Sequence, residues 1–300
     1  MKILLTGATG LIGSHLAELL ESKGFEVAIL TRGVGAGCKY DSYLWNPVTG
    51  TIDENAFKEV DYVVHLAGTN IMAKRWTDQR KAEIITSRTL STKLLVKTIK
   101  TNKIPLKGFI SASAIGYYGS FTSDKVFEED SPAHSDFLSE SCRLWEAASD
   151  SLNDLDIRKV HIRIGVVLAK QGGALEQLVR PVALGLGAAL GSGKQYMPWV
   201  HIDDLSNMFL ETIENSKLEG AYNGVAPESA TNNAFTKQLA KTLNKPFWLP
   251  NVPSFIIKLL LGEMSTVVLD GSRVSAHKII STGFRFKYNT LREALKDLLQ

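Results

Sequence analysis

The sequence predicts an α/β protein: a doubly wound parallel sheet with helices on both faces, joined to a smaller C-terminal α/β lobe. Three observations predict it. The chain opens with a short apolar run, Lys2 to Thr6, that meets glycines spaced G-x-x-G-x-x-G at Gly7, Gly10 and Gly13. Ile12, Leu16, Leu19 and Leu20 then share one helical face, Gly24 closes the helix, and Glu26 to Leu30 supplies a second strand, completing a βαβ unit. Further along, Asp61 to Leu66 is continuously apolar after its first residue, as a central parallel strand should be, and Lys107 to Ser113 and Lys159 to Leu168 read as further strands.

The opening turn carries the first functional signal. Gly7 permits the tight turn, Gly10 lets backbone approach a pyrophosphate with no side chain in the way, and Gly13 lets the helix lie close to the strand. The helix N-terminus then faces the ligand's negative charge, so Gly7, Thr9, Gly10, Leu11, Ile12 and Gly13 are expected around a dinucleotide. Thr31-Arg32 follows the second strand. An acidic residue there would accept bonds from the adenosine ribose and repel a 2′-phosphate, whereas arginine does the reverse, which favours NADP(H) unless Arg32 is merely a surface loop residue.

Leu66, Ala67 and Gly68 end the third strand with small residues that leave space in the crevice where open α/β sheets bind ligands. Asn70 to Arg75 is a polar loop at that same end, before a helix through Glu83, Arg88 and Leu95. Arg88 either reaches back toward cofactor phosphate or ribose, or makes a surface salt bridge.

Composition narrows the classes. A chain of 300 residues has room for one large domain and a smaller lobe, and a formal net charge of +3 does not suggest nucleic acid or an anionic membrane. Cys38 and Cys142 are the two cysteines, with no C-x-x-C spacing, so a reducing cytoplasm fits. The first strand begins at residue 2, which leaves no room for a signal peptide, and no apolar run approaches the roughly 18 residues of a membrane span. Six scattered histidines give no metal-ligand spacing.

TGATGLIG, VDYVVHLAG, FISASAIGYYG and WVHIDDL resemble, in order, the extended short-chain dehydrogenase/reductase superfamily in its nucleotide-sugar epimerase branch. RWTDQRKAEIITSR, FLSESCRLWEAAS, LGSGKQYMPWVHIDDL, GEMS and STGFRF narrow the resemblance to an atypical subgroup, the epimerase family proteins similar to bacterial YfcH. The resemblance implies a Rossmann domain over 1–165 plus 200–225 and a substrate or lid lobe over 166–199 plus 226–300. It adds Glu83, Arg88, Ser111 and Val166 to the cofactor positions.

The superfamily pattern assigns its serine to Ser113, which a need for close packing would also explain. Its tyrosine and lysine, four residues apart on one helix face so that the ammonium favours phenolate, are replaced: aligning Glu146 puts Leu138 and Cys142 there. None of the eight tyrosines has a lysine four residues later. Cys142 is expected to be a buried small residue. Tyr117 and Tyr118 are then the nearest proton carriers, and an unassisted phenol, with a pKa of about 10, serves better as an acid, which favours a reductase over an epimerase.

Arg75, Trp76, Gln195, Trp199 and His201 are candidates to line a substrate site, against structural roles for the last two: a core hydrogen bond for His201 and a plug between lobes for Trp199. Asp203 or Asp204 is expected to cap the next helix, and Gly283 to Phe286 to form a short strand. The expected partner is a small sugar-like or carbonyl substrate, with the protein a monomer or homodimer. The alternative is a non-catalytic NADP(H)-binding redox sensor.

Overall fold

The computed structural model describes residues 1–33 and 39–300. Residues 34–38, Cys38 among them, lie outside the described residues. The chain runs β1 (Lys2–Thr6), α1 (Leu11–Ser22), β2 (Glu26–Thr31), β3 (Asp41–Asn46), β4 (Thr51–Ile52), β5 (Val60–His65), α2 (Asp78–Thr101), β6 (Gly108–Ala114), β7 (Ser123–Phe127) and α3 (Phe137–Ala147). It continues through β8 (Arg158–Ile164), β9 (Val166–Leu168), α4 (Gly173–Ala183), β10 (Trp199–His201), α5 (Ile202–Glu214), β11 (Gly220–Gly224) and α6 (Asn232–Thr242). The last elements are α7 (Ser254–Leu261), α8 (Thr266–Leu269), β12 (Ser272–Val274), α9 (His277–Ser281) and α10 (Leu291–Leu299).

Among the described residues the main sheet has eight strands in the order β11-β8-β6-β5-β1-β2-β3-β4, parallel throughout except for the short β3–β4 pairing. The chain winds outward from β1 in both directions, so the order reverses between β1 and β5 and opens a crevice at their carboxyl ends. Alternation along β1 sends Ile3 and Leu5 to one face, where they meet Leu16 and Leu20 of α1 and Phe209 of α5. Leu4 goes to the other, with Leu94, Leu95 and Ile99 of α2. A third cluster, built from Leu175, Trp199, Phe235, Leu239, Leu291 and Leu295, joins β10 to α4, α6 and α10.

Three expectations need correction. Lys159–Leu168 is not one strand: the chain leaves the main sheet at Gly165, where the Val166 amide turns to the Pro198 carbonyl at 2.7 Å, and β9 pairs with β10 in a separate ladder. Gly283–Phe286 is not a strand, because the backbone just beyond it is held by a side chain rather than a ladder. The buried Asp204 carboxylate accepts from the Lys287 and Tyr288 amides at 2.7 and 3.0 Å. Asp204 therefore does not cap α5. His201 does, its Nδ1 accepting from the Asp203 amide at 3.1 Å.

The β1–α1 packing tolerates no side chain at Gly13: a Cβ there would overlap the Gly7 carbonyl oxygen and stand 2.8 Å from Cα of Ala8. Gly13→Ala is expected to destabilise the protein by about 1–3 kcal/mol. Calorimetry should show the melting temperature falling by several degrees, and an unchanged value would contradict this packing.

Candidate active site

At the β1–α1 turn Gly7 takes a φ of 71°, and the Gly10 amide closes back on the Gly7 carbonyl at 3.0 Å. The N-cap of α1 is Gly10, which has no side chain to cap with, and the first turn holds no acidic residue. Its amides, from Leu11, Ile12 and Gly13, are left for an external acceptor, with Thr9 and Gly10 exposed beside them.

The facing wall is fixed by a residue the sequence reading passed over. His65, fully buried at the end of β5, sits 2.7 Å from Thr6 Oγ1 through Nδ1 and 3.1 Å from Ser91 Oγ through Nε2. Thr6 Oγ1 accepts from the amides of Leu66 and Ala67, and the Ser91 hydroxyl donates to the Ser87 carbonyl at 2.8 Å. Thr6 must therefore donate to Nδ1 and Nε2–H to Ser91, which makes His65 neutral. Burial first, then the nearby Arg88 charge, push its pKa down to about 3. The histidine thus ties β1, β5 and α2 together and sets the course of Leu66, Ala67 and Gly68. The signal for it is that His65 interrupts the run that the sequence reading treats as continuously apolar after Asp61.

Arg88 lies over the Trp145 ring at 5.0 Å, donates to the carbonyls of Ile84 and Thr69, and rests against Gly68. Among the described residues no carboxylate pairs with it, which removes the salt-bridge alternative. Burial pulls its pKa down from the usual arginine value. Glu83 pairs instead with Arg80 at 3.0 Å, and Arg80 also holds the Asn70 carbonyl at 2.7 Å. Arg32 is exposed at the end of β2 without a carboxylate partner among the described residues, and the Thr31 hydroxyl donates to the Gly33 carbonyl.

At the end of β6, Ser113 Oγ donates to Glu146 Oε1 at 2.7 Å. Glu146 in turn receives Nε and Nη2 of Arg163, both at 2.9 Å. Burial alone would raise the Glu146 pKa, but the bonds from Arg163 outweigh it and hold the carboxyl below its usual range. Arg163 Nη1 reaches the Tyr118 hydroxyl at 3.0 Å, and that hydroxyl donates to Asn223 Oδ1 at 2.7 Å. Tyr118 is as buried as Ser113, at 2% exposed, but its hydroxyl is already engaged by both Arg163 and Asn223 and burial pushes its phenol up to about 12, so it is a core residue rather than a proton carrier. Tyr117 lies flat on Arg163 at 3.5 Å, half-buried.

Ser111 also differs from expectation, because its hydroxyl is buried against His161 Nδ1 at 2.9 Å. Leu138 and Cys142 pack against Gly116, where the superfamily's tyrosine and lysine are expected, and burial pushes the Cys142 thiol up to about 12.

The substrate candidates divide. Arg75 abuts Gly262, and Trp76 donates to the Ile71 carbonyl at 2.9 Å and meets Phe137 edge-on at 4.9 Å. Both stay at the loop beyond β5. The other three are structural: Trp199 is fully buried in the third cluster, His201 caps α5 and stacks on Tyr288 at 3.8 Å, and Gln195 donates to the carbonyls of Leu190 and Val268 from the interior.

A family model described as the NAD dependent epimerase/dehydratase family matches residues 3–223, and a domain of unknown function, DUF1731, matches residues 252–298. The chain belongs to the NAD dependent epimerase/dehydratase family. The mouse epimerase family protein SDR39U1 is 36% identical over 303 residues, covering 100% of both chains. The Bacillus subtilis epimerase family protein YfhF is 36% identical over 301 residues, covering 100% of this chain and 98% of its own. Human SDR39U1, solved with NADPH, superposes with a TM-score of 0.89 at 33% identity over 99% of each chain. The epimerase family resemblance read from the sequence motifs is thus borne out, and so is the Rossmann architecture.

In this family member the neutral His65 also makes stability pH-dependent. Its folded pKa of about 3 lies below the ordinary value of 6.5, so the unfolded chain takes up the proton first as pH falls. The stability it contributes is complete above about pH 6.5 and is lost toward pH 3, and buried His161, also shifted down, acts in the same direction. Thermal melts should fall from neutral pH toward pH 4, less steeply for His65→Gln; equal slopes would contradict the assignment.

Proposed function

We propose that the chain is an NADP(H)-binding oxidoreductase that exchanges hydride with a carbonyl or carbinol carbon of a small, sugar-like substrate. The observation that carries this reading is the charge layout at the carboxyl ends of the strands: an uncapped, acid-free helix N-terminus follows β1, Arg88 lies against Gly68 beyond β5, Arg32 is exposed at the end of β2, and neither arginine has a carboxylate partner among the described residues. Human SDR39U1, similar along its whole length, was solved with NADPH. These residues fit such a group. The amides of Leu11, Ile12 and Gly13 would hold the pyrophosphate, Thr31 and Arg32 the 2′-phosphate, and Leu66 to Gly68, Arg88 and Val166 the nicotinamide half. A bound nicotinamide supplies or accepts hydride. The proposed division is a cofactor domain over 1–165 plus 200–225 and a lid lobe over the rest, in a cytoplasmic protein.

Ser113 commits its proton to Glu146, so its free lone pairs suit a substrate hydroxyl better than a substrate carbonyl. With Tyr118 buried and Tyr117 laid on Arg163, this replaces the expected tilt toward carbonyl reduction by Tyr117 or Tyr118: as the carbinol carbon gives up hydride, its hydroxyl proton would pass to Ser113 Oγ, which would hand its own proton to Glu146 Oε1. The redox-sensor reading is favoured by a different observation, the inert Leu138 and Cys142 where tyrosine and lysine would supply proton transfer.

Arg32→Asp should weaken NADPH relative to NADH by about tenfold or more. An unchanged ratio in fluorescence titrations would remove Arg32 from the site. A panel of sugar-like alcohols and carbonyl compounds followed by nicotinamide absorbance separates the two readings. Turnover that Ser113→Ala lowers by roughly 100-fold supports the enzyme, and tight cofactor binding without turnover supports the sensor.

A further inference from the structure

The loop beyond β5, residues 69–77, runs from the end of that strand toward the turn that follows Ser113. Arg88 and Arg80 anchor its start, donating to the carbonyls of Thr69 at 3.1 Å and Asn70 at 2.7 Å. From Met72 to Arg75 it is exposed, with no helix or strand until α2. Its far end is held by side chains. Trp76 meets Phe137, the first residue of α3, edge-on at 4.9 Å, and the next residue, Leu138, packs on Gly116, just past Ser113. The loop therefore lies across the carboxyl ends of β5 and β6.

The second lobe reaches over to it. The Lys81 ammonium, 5.6 Å from the centre of the same Phe137 ring, pairs with Glu263. Arg75 lies so close to Gly262 that a Cβ there would stand 3.0 Å from its Nη2. Gly262 and Glu263 begin the turn 262–265, inside the segment that matches the domain of unknown function.

Taking the crevice as the nucleotide and substrate site, we propose that this turn is a strap across its mouth, latched by the Lys81–Glu263 pair, which swings aside to admit and release ligands. The latch is weak enough to open. The Lys81 side chain is 25% exposed and that of Glu263 65%, and such a pair shifts a closed-to-open ratio by roughly fivefold at most. Little restrains the strap from α7, of whose eight residues only Ile257 is buried. Gly262 joins them with φ 61° and ψ −138°, a conformation that glycine adopts freely and side chains resist. Beyond the strap the chain is pinned, because Gln195 donates to the Val268 carbonyl at 2.9 Å and the Tyr196 amide to the Gly271 carbonyl at 3.0 Å. Met264 is buried within the turn, which makes the closed pose the resting one.

Hydrogen–deuterium exchange of the full chain, read by mass spectrometry on peptides covering 69–77 and 262–270, tests this. Lys81→Glu sets two carboxylates face to face and is expected to speed exchange roughly threefold or more in both peptides and not in the main sheet. Adding Glu263→Lys should bring both rates back toward wild type. The release of bound NADPH in stopped-flow fluorescence should quicken in the single variant and slow again in the double. Exchange unchanged by Lys81→Glu, a response in one peptide alone, a double variant no slower than the single, or one NADPH release rate for all three proteins would each overturn the strap. The coupled exchange response in a chain that binds no NADPH would support the strap and count against the cofactor reading alone.

Discussion

The close approach of α1 to the turn that precedes it is the constraint on which the rest depends. Gly13 lies against the Gly7 carbonyl with no space for a Cβ, and Gly7 itself has room for none beside Leu66 and Ala67. That contact aims the first-turn amides of α1 into the gap between β1 and β5. Thr6 and His65 complete the frame from beneath, because the same threonine oxygen that bonds the histidine also receives the amides of Leu66 and Ala67. The cradle and the facing wall are therefore one hydrogen-bonded unit, anchored to α2 through Ser91.

A second buried network runs from Ser113 through Glu146 and Arg163 to Tyr118 and Asn223, linking β6, α3, β8 and β11. A buried ion pair is expensive to desolvate, and removing one partner strands the other charge. Here each member has partners: Arg163 uses a fourth donor on the Glu129 carbonyl at 3.0 Å, and Tyr117 covers the guanidinium. The arrangement fixes the orientation of Ser113 and withdraws Tyr118 from solvent. The end of β6 thus presents a serine backed by a carboxylate, with Leu138 and Cys142 where the superfamily pattern has tyrosine and lysine.

The Rossmann core was legible because its signals are local. Glycine spacing, the strand–helix–strand alternation and the continuous apolar strands each depend on residues near one another in the chain. The misreadings involve long-range partners. Tyr118 reads as a residue just past a strand end, yet it is buried by Phe127 and by Asn223, 105 positions away. For His201 and Trp199 the sequence leaves a site-lining role open beside a structural one, and Tyr288 and the α4–α6–α10 cluster, which enclose them, favour the latter. Asp204 reads as a cap because its position suits one, and its carboxylate serves a loop 83 positions further on. Periodicity carries no information about which distant segment covers a side chain.

Isothermal titration calorimetry of the full chain with NADPH and NADP⁺ tests most directly whether the open end of α1 holds a phosphorylated nicotinamide nucleotide. Saturable binding at one nucleotide per chain is the predicted result. No heat with either nucleotide, together with no rise in melting temperature in their presence, would contradict it.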